Sequence, residues 1–224
     1  MGWTCYSRRT SPKTRAEERA EIVRLYTALV PEADYTAECL MASKVGSTWY
    51  VAIRLTPKAG AAADALPLRG YVPDATGAIV YAGVILTSRK DGEWGYKDLC
   101  ETMGPFEAEA PARLLALLSP LDAGVETHAT AWRERVAAYH AAKCARPKVR
   151  PGDVVEFDAP IEFVGGLVAR RFKAFAYRRH PGARMRILYS TLDTKHAHTV
   201  RMSAKAIQDR GGRIVEDVDA PESA

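Results

Sequence analysis

The sequence has few cysteines and no long hydrophobic segment, and both shortages exclude classes of protein. Its 224 residues include four cysteines, at positions 5, 39, 100 and 144, and none belongs to a Cys-x-x-Cys pair. They predict free thiols rather than a disulfide framework. No apolar run reaches the roughly 18 residues that cross a bilayer, so we expect no membrane contact. The first residues are charged where a secretory signal would be apolar, which predicts a cytoplasmic protein.

Motifs for cofactors and metals are also missing. Gly165-Gly166 lacks the lysine and the following helix of a phosphate-binding loop, and no nucleophile elbow is present. Two pairs could begin a metal site: His140 with Cys144 on one helix face, and His196 with His198 on one strand face. Zinc sites need three or four ligands, so neither pair suffices. We therefore predict neither a metal nor a cofactor.

Charge is distributed unevenly along the chain, although the formal net charge is only +5. Residues 145–213 contain 15 Lys and Arg against 6 Asp and Glu, a net charge of +9. Residues 214–224 contain four acids and no base, and residues 1–144 are balanced. This asymmetry predicts a separate basic module with an anionic partner.

The first part of the chain combines helix and strand patterns. Amphipathic spacing predicts two helices, over residues 15–29 and 126–144, and a Thr14–Glu17 capping box opens the first. Alternating and continuous apolar runs predict three strands, over residues 35–43, 47–55 and 79–87, the last of them central. We predict an α+β domain over residues 1–144, with an antiparallel sheet of three or four strands and helices packed on it.

The last third of the chain has the pattern of an all-β domain. Residues 145–152 form a proline-punctuated linker, and short strand-like runs follow over 153–213. Gly165-Gly166 is typical of a two-residue hairpin turn, and a brief helix is predicted near 203–209. We predict a small basic β-barrel of SH3-like or related type, followed by a disordered acidic tail over 214–224.

One short segment, WGYKDLCETMGP at residues 94–105, combines aromatic, charged and turn-forming residues in a mixture typical of neither a plain helix nor a plain strand. Lys97, Asp98 and Glu101 stand within five positions. A lysine beside two carboxylates could activate water, hold a divalent metal or tune a general acid.

The same segment has a structural interpretation, which we favour because ionic clusters are common in irregular loops. Its polar side chains would then form a network that fixes a loop, while Trp94, Tyr96 and Met103 enter the core. Gly95, Gly104 and Pro105 would supply unusual backbone dihedral angles.

This segment, together with Trp132-Arg133 and Tyr139-His140 on the second predicted helix, resembles the core pattern of a family of uncharacterised proteins. Those proteins come from bacterial plasmids, integrative elements and phages, and their pattern is approximately W-G-Y-K-D-x-x-E-[S/T]-M-G-P. The resemblance covers most of residues 1–144 and implies a mobile-element context without an established activity. Cys100 stands where the family often has an acid.

The basic residues of the last third are interleaved with aromatic residues. Seven of them lie on consecutive predicted strands: Arg170, Arg171, Lys173, Arg178, Arg179, Arg184 and Arg186. Alternation places Phe172 with Arg170 on one face, and Phe175 and Tyr177 with Arg171 and Lys173 on the other. In small barrels that bind nucleic acids, such cations contact phosphates and the neighbouring aromatic rings stack on bases. The pattern therefore predicts binding of DNA or RNA, and of single strands rather than duplexes.

Three functions are consistent with these patterns. The first is a mobile-element accessory protein that binds nucleic acid through its basic β domain. The second is a protein-interaction module that interferes with a host defence complex, with a host or element-encoded protein as partner. The third is a hydrolase or nuclease-like enzyme that uses Lys97, Asp98 and Glu101.

Overall fold

The computed structural model describes residues 4–5, 12–27, 34–61, 70–90, 93–103, 107–123, 128–193 and 197–216. The chain divides into two compact units, Met1–His140 and Ala141–Ala224. Each unit contains one antiparallel sheet of five strands together with short helices, so the fold is α+β. None of the helices described is both long and apolar enough to cross a membrane.

The first unit has five strands and three helices. In chain order they are β1 Thr4–Cys5, α1 Arg15–Thr27, β2 Tyr35–Val45, β3 Thr48–Pro57, β4 Ile79–Lys90, β5 Glu93–Cys100, α2 Ala112–Leu115 and α3 His128–Cys144. The strand order is β1-β5-β4-β3-β2, which makes the apolar strand β4 central as predicted. The sheet has five strands, whereas three or four were predicted, because the two-residue strand β1 also pairs with β5.

Hydrophobic packing covers both faces of this sheet. On one face α1 buries Ile22 and Leu25 in a cluster that includes Trp49 and Ile53 of β3. On the other face α3 buries Trp132 in a second cluster, with Tyr50 and Ala52 from the same strand. Successive residues of a strand point to opposite faces, so β3 contributes to both clusters and is buried along nearly its whole length.

A buried carboxylate ties α1 to the β2–β3 hairpin. Glu18 is 4% exposed, and its carboxylate accepts hydrogen bonds from Lys44 Nζ at 2.6 and 2.7 Å and from Trp49 Nε1 at 3.0 Å. Burial alone would raise the pKa of Glu18, but these hydrogen bonds and the Lys44 charge lower it below its usual value. The helix therefore docks through a charged contact as well as through its apolar face.

The second unit has five strands and one helix. They are β6 Val154–Glu162, β7 Val168–Tyr177, β8 Arg186–Thr191, β9 Thr199–Val200, α4 Ala204–Asp209 and β10 Arg213–Val215. The strand order is β10-β6-β7-β8-β9. Phe157, Phe172 and Tyr189 form the core with Ile207 of α4, the helix whose first turn is capped by the Ser203 side chain.

Three details of this unit differ from the sequence expectation. The sheet is open in the part of the chain described, because the edge strands β9 and β10 pair only with β8 and β6. The hairpin turn has three residues, Val164 to Gly166, because Phe163 pairs with Leu167. The tail predicted as disordered from 214 begins with strand, since the apolar Ile214 and Val215 pair with β6 before the acids start at 216.

The close approach of α1 to β4 yields a stability prediction. A Cβ atom at Gly83 would lie 2.5 Å from Tyr26 Oη and 2.6 Å from Val51 Cγ2, so Gly83→Ala forces α1 or β3 to move. We expect a loss of about 1–3 kcal/mol in the free energy of unfolding, measured by urea denaturation. Gly95→Ala is the control, because a Cβ there meets nothing within 4 Å. Its expected change is within about 0.5 kcal/mol, and equal losses in both variants would contradict the packing described.

Candidate functional site

Glu101 lies just after β5 and is fully buried, with 0% exposure. Arg133 of α3 binds it with two hydrogen bonds, Nε to Oε2 at 2.6 Å and Nη2 to Oε1 at 2.9 Å. The backbone N–H of Ala82 also donates to Oε1, at 2.9 Å. The third guanidinium nitrogen of Arg133 donates to the Ser119 carbonyl at 2.7 Å. Both charges of this buried pair are therefore satisfied by the protein itself.

Tyr71 completes this cluster with its aromatic ring. The ring centroid lies 5.7 Å from Arg133 Cζ, which is the range of a cation–π contact. Burial raises the pKa of Tyr71, and the charge of the neighbouring Glu101 carboxylate is the second cause of this increase. The phenol therefore stays protonated over the physiological range.

Asp98 makes its contact with α1, on the sheet face away from Arg133. Tyr26 Oη of α1 donates a hydrogen bond to Asp98 Oδ1, while the outer surface of Asp98 stays exposed. Burial of the inner part of the carboxyl group raises the pKa of Asp98, and the Tyr26 hydrogen bond opposes this shift. Burial also raises the pKa of Tyr26, and the Asp98 charge adds to that effect.

The three charged residues of the sequence motif do not converge. Asp98 belongs to the α1 face and Glu101 to the α3 face, as their hydrogen bonds show. Lys97 precedes Asp98 in β5 and points to the opposite face from it, opposite Leu86 in the ladder. This arrangement lacks the shared pocket that a Lys–Asp–Glu catalytic site requires. The residues described also contain no group of three His, Cys, Asp or Glu side chains that could hold a metal ion.

The motif is more regular than a loop. Residues 93–100 form β5, which pairs with β4 over its whole length, and Gly95 lies opposite Ser88 as an ordinary ladder residue. Trp94 and Tyr96 are buried with ring centroids 5.6 Å apart. Met103 is 53% exposed, so its expected place in the core is wrong. Gly104 and Pro105 lie outside the residues described.

The α3 part of the motif has a packing role. Trp132 is fully buried, and its Nε1 donates to the Glu107 carbonyl at 3.2 Å. His140 Nε2 lies 2.6 Å from the Ala110 carbonyl, and its ring makes an edge contact with the half-buried Tyr139. Cys144 is exposed at the end of the helix, and of the other histidine pair only His198 is described.

Sequence reasoning missed the role of Arg133. The residue appeared only as part of the Trp132-Arg133 pattern, although it supplies the countercharge of Glu101. A usable signal was the position of Arg133, one residue beyond Trp132 in the apolar stripe of α3. A long cation at the border of a buried stripe can reach a carboxylate in the core below it.

The second unit contains a long stretch without acidic residues. From Phe163 to Leu192 the sequence has seven Lys and Arg and no Asp or Glu. Four of these cations lie at one end of the β7–β8 hairpin: Arg178, Arg179 and Arg184 in the connection, and Arg186 at the start of β8. All four are exposed, and none forms an ion pair with a described residue.

One face of β7 combines cations with aromatic rings. Phe172 and Ala174 face the core, so the alternate residues Lys173, Phe175 and Tyr177 lie on the outer face. Lys173 is exposed, whereas both rings are half-buried. We name Lys173, Phe175, Tyr177 and the four hairpin-end arginines the basic-aromatic face.

The expected position of Arg170 beside Phe172 is wrong. Phe172 is fully buried, whereas Arg170 is exposed. The cause is a bulge, because β6 has four residues between Glu156 and Ile161 where β7 has only Arg170 between their partners. The N–H groups of Arg170 and Arg171 both donate to Asp193 Oδ2 at 2.7 Å, which stabilises the irregular backbone.

Comparison with known proteins gives one domain match over part of the chain and no activity. Residues 125–205 match the model of a domain of unknown function, DUF6927. The matched segment contains α3 with Arg133, strands β6 to β9 and all seven cations of the basic stretch. No curated protein and no solved structure matches the chain significantly.

The ion pair of Glu101 gives the prediction for this cluster. Glu101→Gln removes the countercharge of Arg133 in a buried site, and we expect a loss of about 3–5 kcal/mol in the free energy of unfolding. Asp98→Asn is the isosteric control, because the amide oxygen can still accept from Tyr26 at a partly exposed position. Its expected change is within about 1 kcal/mol at neutral pH. Chemical denaturation followed by circular dichroism measures both, and a Glu101→Gln variant as stable as the control would contradict this assignment.

Proposed function

We propose that the protein binds nucleic acid through the basic-aromatic face of its second unit. The observation that carries the proposal is the acid-free stretch from Phe163 to Leu192 with its seven cations. In an average sequence about as many acids as bases would be expected over such a length. A surface of one charge sign attracts a polyanion and repels acidic surfaces.

The hairpin end suits phosphate groups. Four exposed arginines lie close together in the sequence here. Three are in the short connection between β7 and β8, and the fourth is the first residue of β8: Arg178, Arg179, Arg184 and Arg186. A guanidinium group can bind two phosphate oxygens at once, and each neutralised phosphate releases counterions. No described carboxylate is paired with these four side chains, so a phosphate group would not have to displace a described protein carboxylate to bind them.

The outer face of β7 favours single strands over duplexes. Phe175 and Tyr177 keep part of their rings accessible on the same side as Lys173. Unpaired bases can stack on such rings, whereas a duplex hides its base faces. The proposal therefore names single-stranded DNA or RNA as the ligand.

The strand order supports an SH3-like topology as part of this proposal, although the described sheet is open and not closed into a barrel. Strands β6 to β9 form a meander, and the chain then passes through α4 and returns as β10 beside β6. This is the order of an SH3-like barrel, in which a short helix precedes the last strand. Small barrels of this size offer exposed strand faces and loops to nucleic acids.

In this proposal the first unit has a structural role and does not bind the nucleic acid. The resemblance of WGYKDLCETMGP to mobile-element proteins suggests an accessory role on such an element, in the cytoplasm. The enzyme alternative lacks support, because Glu101 is saturated by Arg133 and Asp98 lies on the other face. A protein partner stays an alternative for the first unit.

The test is the binding of fluorescein-labelled oligothymidylate, followed by fluorescence anisotropy over a series of salt concentrations. We expect the double variant Arg178→Glu/Arg179→Glu to bind at least about tenfold more weakly and with a smaller salt dependence. Lys205→Glu/Arg210→Glu carries the same charge change on and just after α4, which packs on the core face of the sheet. This control should lose less than about threefold.

Two outcomes would contradict the proposal. Equal losses in the two double variants would mean that net charge alone attracts the oligonucleotide. Binding that does not weaken with added salt, or no binding at all, would exclude phosphate contacts as the basis of recognition. The melting temperature of each variant checks that the fold is intact.

A further inference from the structure

We propose that strand β2 of the first unit binds an extended acidic segment of another protein by strand addition. The segment would lie in a cleft between Arg19 and Arg113. This inference concerns the unit that the nucleic-acid proposal leaves without a partner, and it stands independently of that proposal.

The cleft is open and has a volume of about 410 Å³. Three parts of the unit line it, with Arg19 from α1, Leu40, Met41 and Ala42 from β2, and Arg113 and Leu117 from α2 and the turn after it. Leu40 is 39% exposed and Leu117 is 38% exposed. The site therefore combines an apolar floor with one cation at each side.

The backbone of β2 offers hydrogen-bonding groups to a ligand. The strand has 11 residues, lies at the end of the sheet order and pairs within the described residues only with β3. The Lys44 carbonyl already accepts a hydrogen bond from Arg15 Nη2 at 3.0 Å, and the other N–H and C=O groups on the outer side can extend the ladder to an added strand. The ladder to β3 skips Leu40, since Cys39 pairs with Ile53 and Met41 with Ala52. We expect the added strand to pair over Met41 to Ser43, with an apolar side chain over Leu40 and Leu117.

The two arginines determine the chemistry of the ligand. Both are exposed, and neither has an ion pair or a hydrogen bond to any residue in the described part of the chain. Arg19 of α1 and Arg113 of α2 lie on opposite faces of the sheet, and successive side chains of an added strand also point to opposite faces. Two adjacent carboxylates would therefore satisfy both guanidinium groups. The geometry selects an extended segment with two adjacent acids beside an apolar residue.

The same charges disfavour a second copy of this chain as the occupant. An antiparallel pairing of two β2 strands about Leu40 would be two-fold symmetric, because the same surface of each copy meets itself. It would bring Arg19 and Arg113 of both copies into one interface, where Glu38, the one acid of β2, supplies a single carboxylate per copy against two cations. Like charges across such a pair are destabilising, which favours an acidic partner.

The experiment uses a defined probe, the peptide acetyl-Thr-Val-Asp-Asp-Leu-Val-Thr-amide with a fluorescent label, titrated with the full chain. Its two matched controls are the same peptide with both Asp replaced by Asn, and the same peptide N-methylated on every backbone nitrogen. We expect the Asn peptide to bind at least about tenfold more weakly. The N-methylated peptide should not bind, because it cannot form the ladder.

Protein variants give the second arm. Arg19→Glu and Arg113→Glu should each weaken binding of the acidic peptide at least about tenfold, because they replace attraction by repulsion. Arg135→Glu is the control, an exposed arginine of α3 that does not line the cleft. Hydrogen–deuterium exchange should show that the peptide protects the amides of β2 and leaves those of the second unit unchanged.

Several results would overturn the inference. One is that the acidic peptide fails to bind, and another is that the N-methylated peptide binds equally well. An Arg135→Glu variant as weak as the two cleft variants would show a general effect of charge. Dimerisation that protects β2 without any peptide, measured by light scattering and exchange, would identify a second copy as the occupant.

Discussion

The first unit depends on one buried ion pair, between Glu101 and Arg133. It joins the end of β5, the backbone of β4 at Ala82, helix α3 and the carbonyl of Ser119. Moving two charges out of water costs several kcal/mol per ion, so such a pair is tolerated only when its oxygens and nitrogens are fully bonded. Here that requirement is met, and the geometry of four chain segments is fixed as a consequence.

The same interaction engages the carboxylate of Glu101, which a reaction centre built on the charged motif would need. A carboxylate that accepts two bonds from a guanidinium group and one from a backbone N–H has little capacity left for a substrate or a metal ion. Asp98 is held by Tyr26 on the other face of the sheet. The motif therefore couples the two helices to the sheet through separate contacts.

In the second unit three acids are bound by other groups of the unit, whereas the arginines of the hairpin end are exposed and have no ion pair with a described residue. Arg213 binds both Glu156 and Asp158, and Asp193 accepts from the backbone N–H groups of Arg170 and Arg171, opposite the β6 bulge. The hairpin-end arginines have no such partner among the described residues. This separation of charge gives the basic-aromatic face its single sign, and it is the physical basis of the nucleic-acid proposal.

Local sequence patterns predicted the helices and strands more accurately than they predicted the contacts between these elements. The apolar spacing of α1 and α3 and the continuous apolar run of β4 identify these elements, because burial sets a period in the sequence. Nothing local links Glu101 to Arg133, which lies 32 positions further on. The strand character of β5 also depends on pairing with β4, which overrides the weak strand propensity of Gly95, Lys97 and Asp98.

The face of Arg170 was unpredictable for a related reason. Strict alternation holds only until a bulge adds residues to one strand, and this bulge is stabilised by Asp193, 23 positions away from Arg170. The faces of Lys173, Phe175 and Tyr177 follow the alternation because their ladder to β8 is regular. Sequence alone therefore locates the basic-aromatic face but not its border.

The most direct test of the central claim is ultraviolet cross-linking of oligothymidylate to the full chain, with the attachment sites identified by mass spectrometry. Bases stacked on the accessible parts of these half-buried rings should cross-link at Phe175 or Tyr177, within the segment 171–186 that also contains the hairpin-end arginines. Cross-links confined to residues 1–140 or to α4 would contradict the account, because the bound strand would then lie away from the basic-aromatic face.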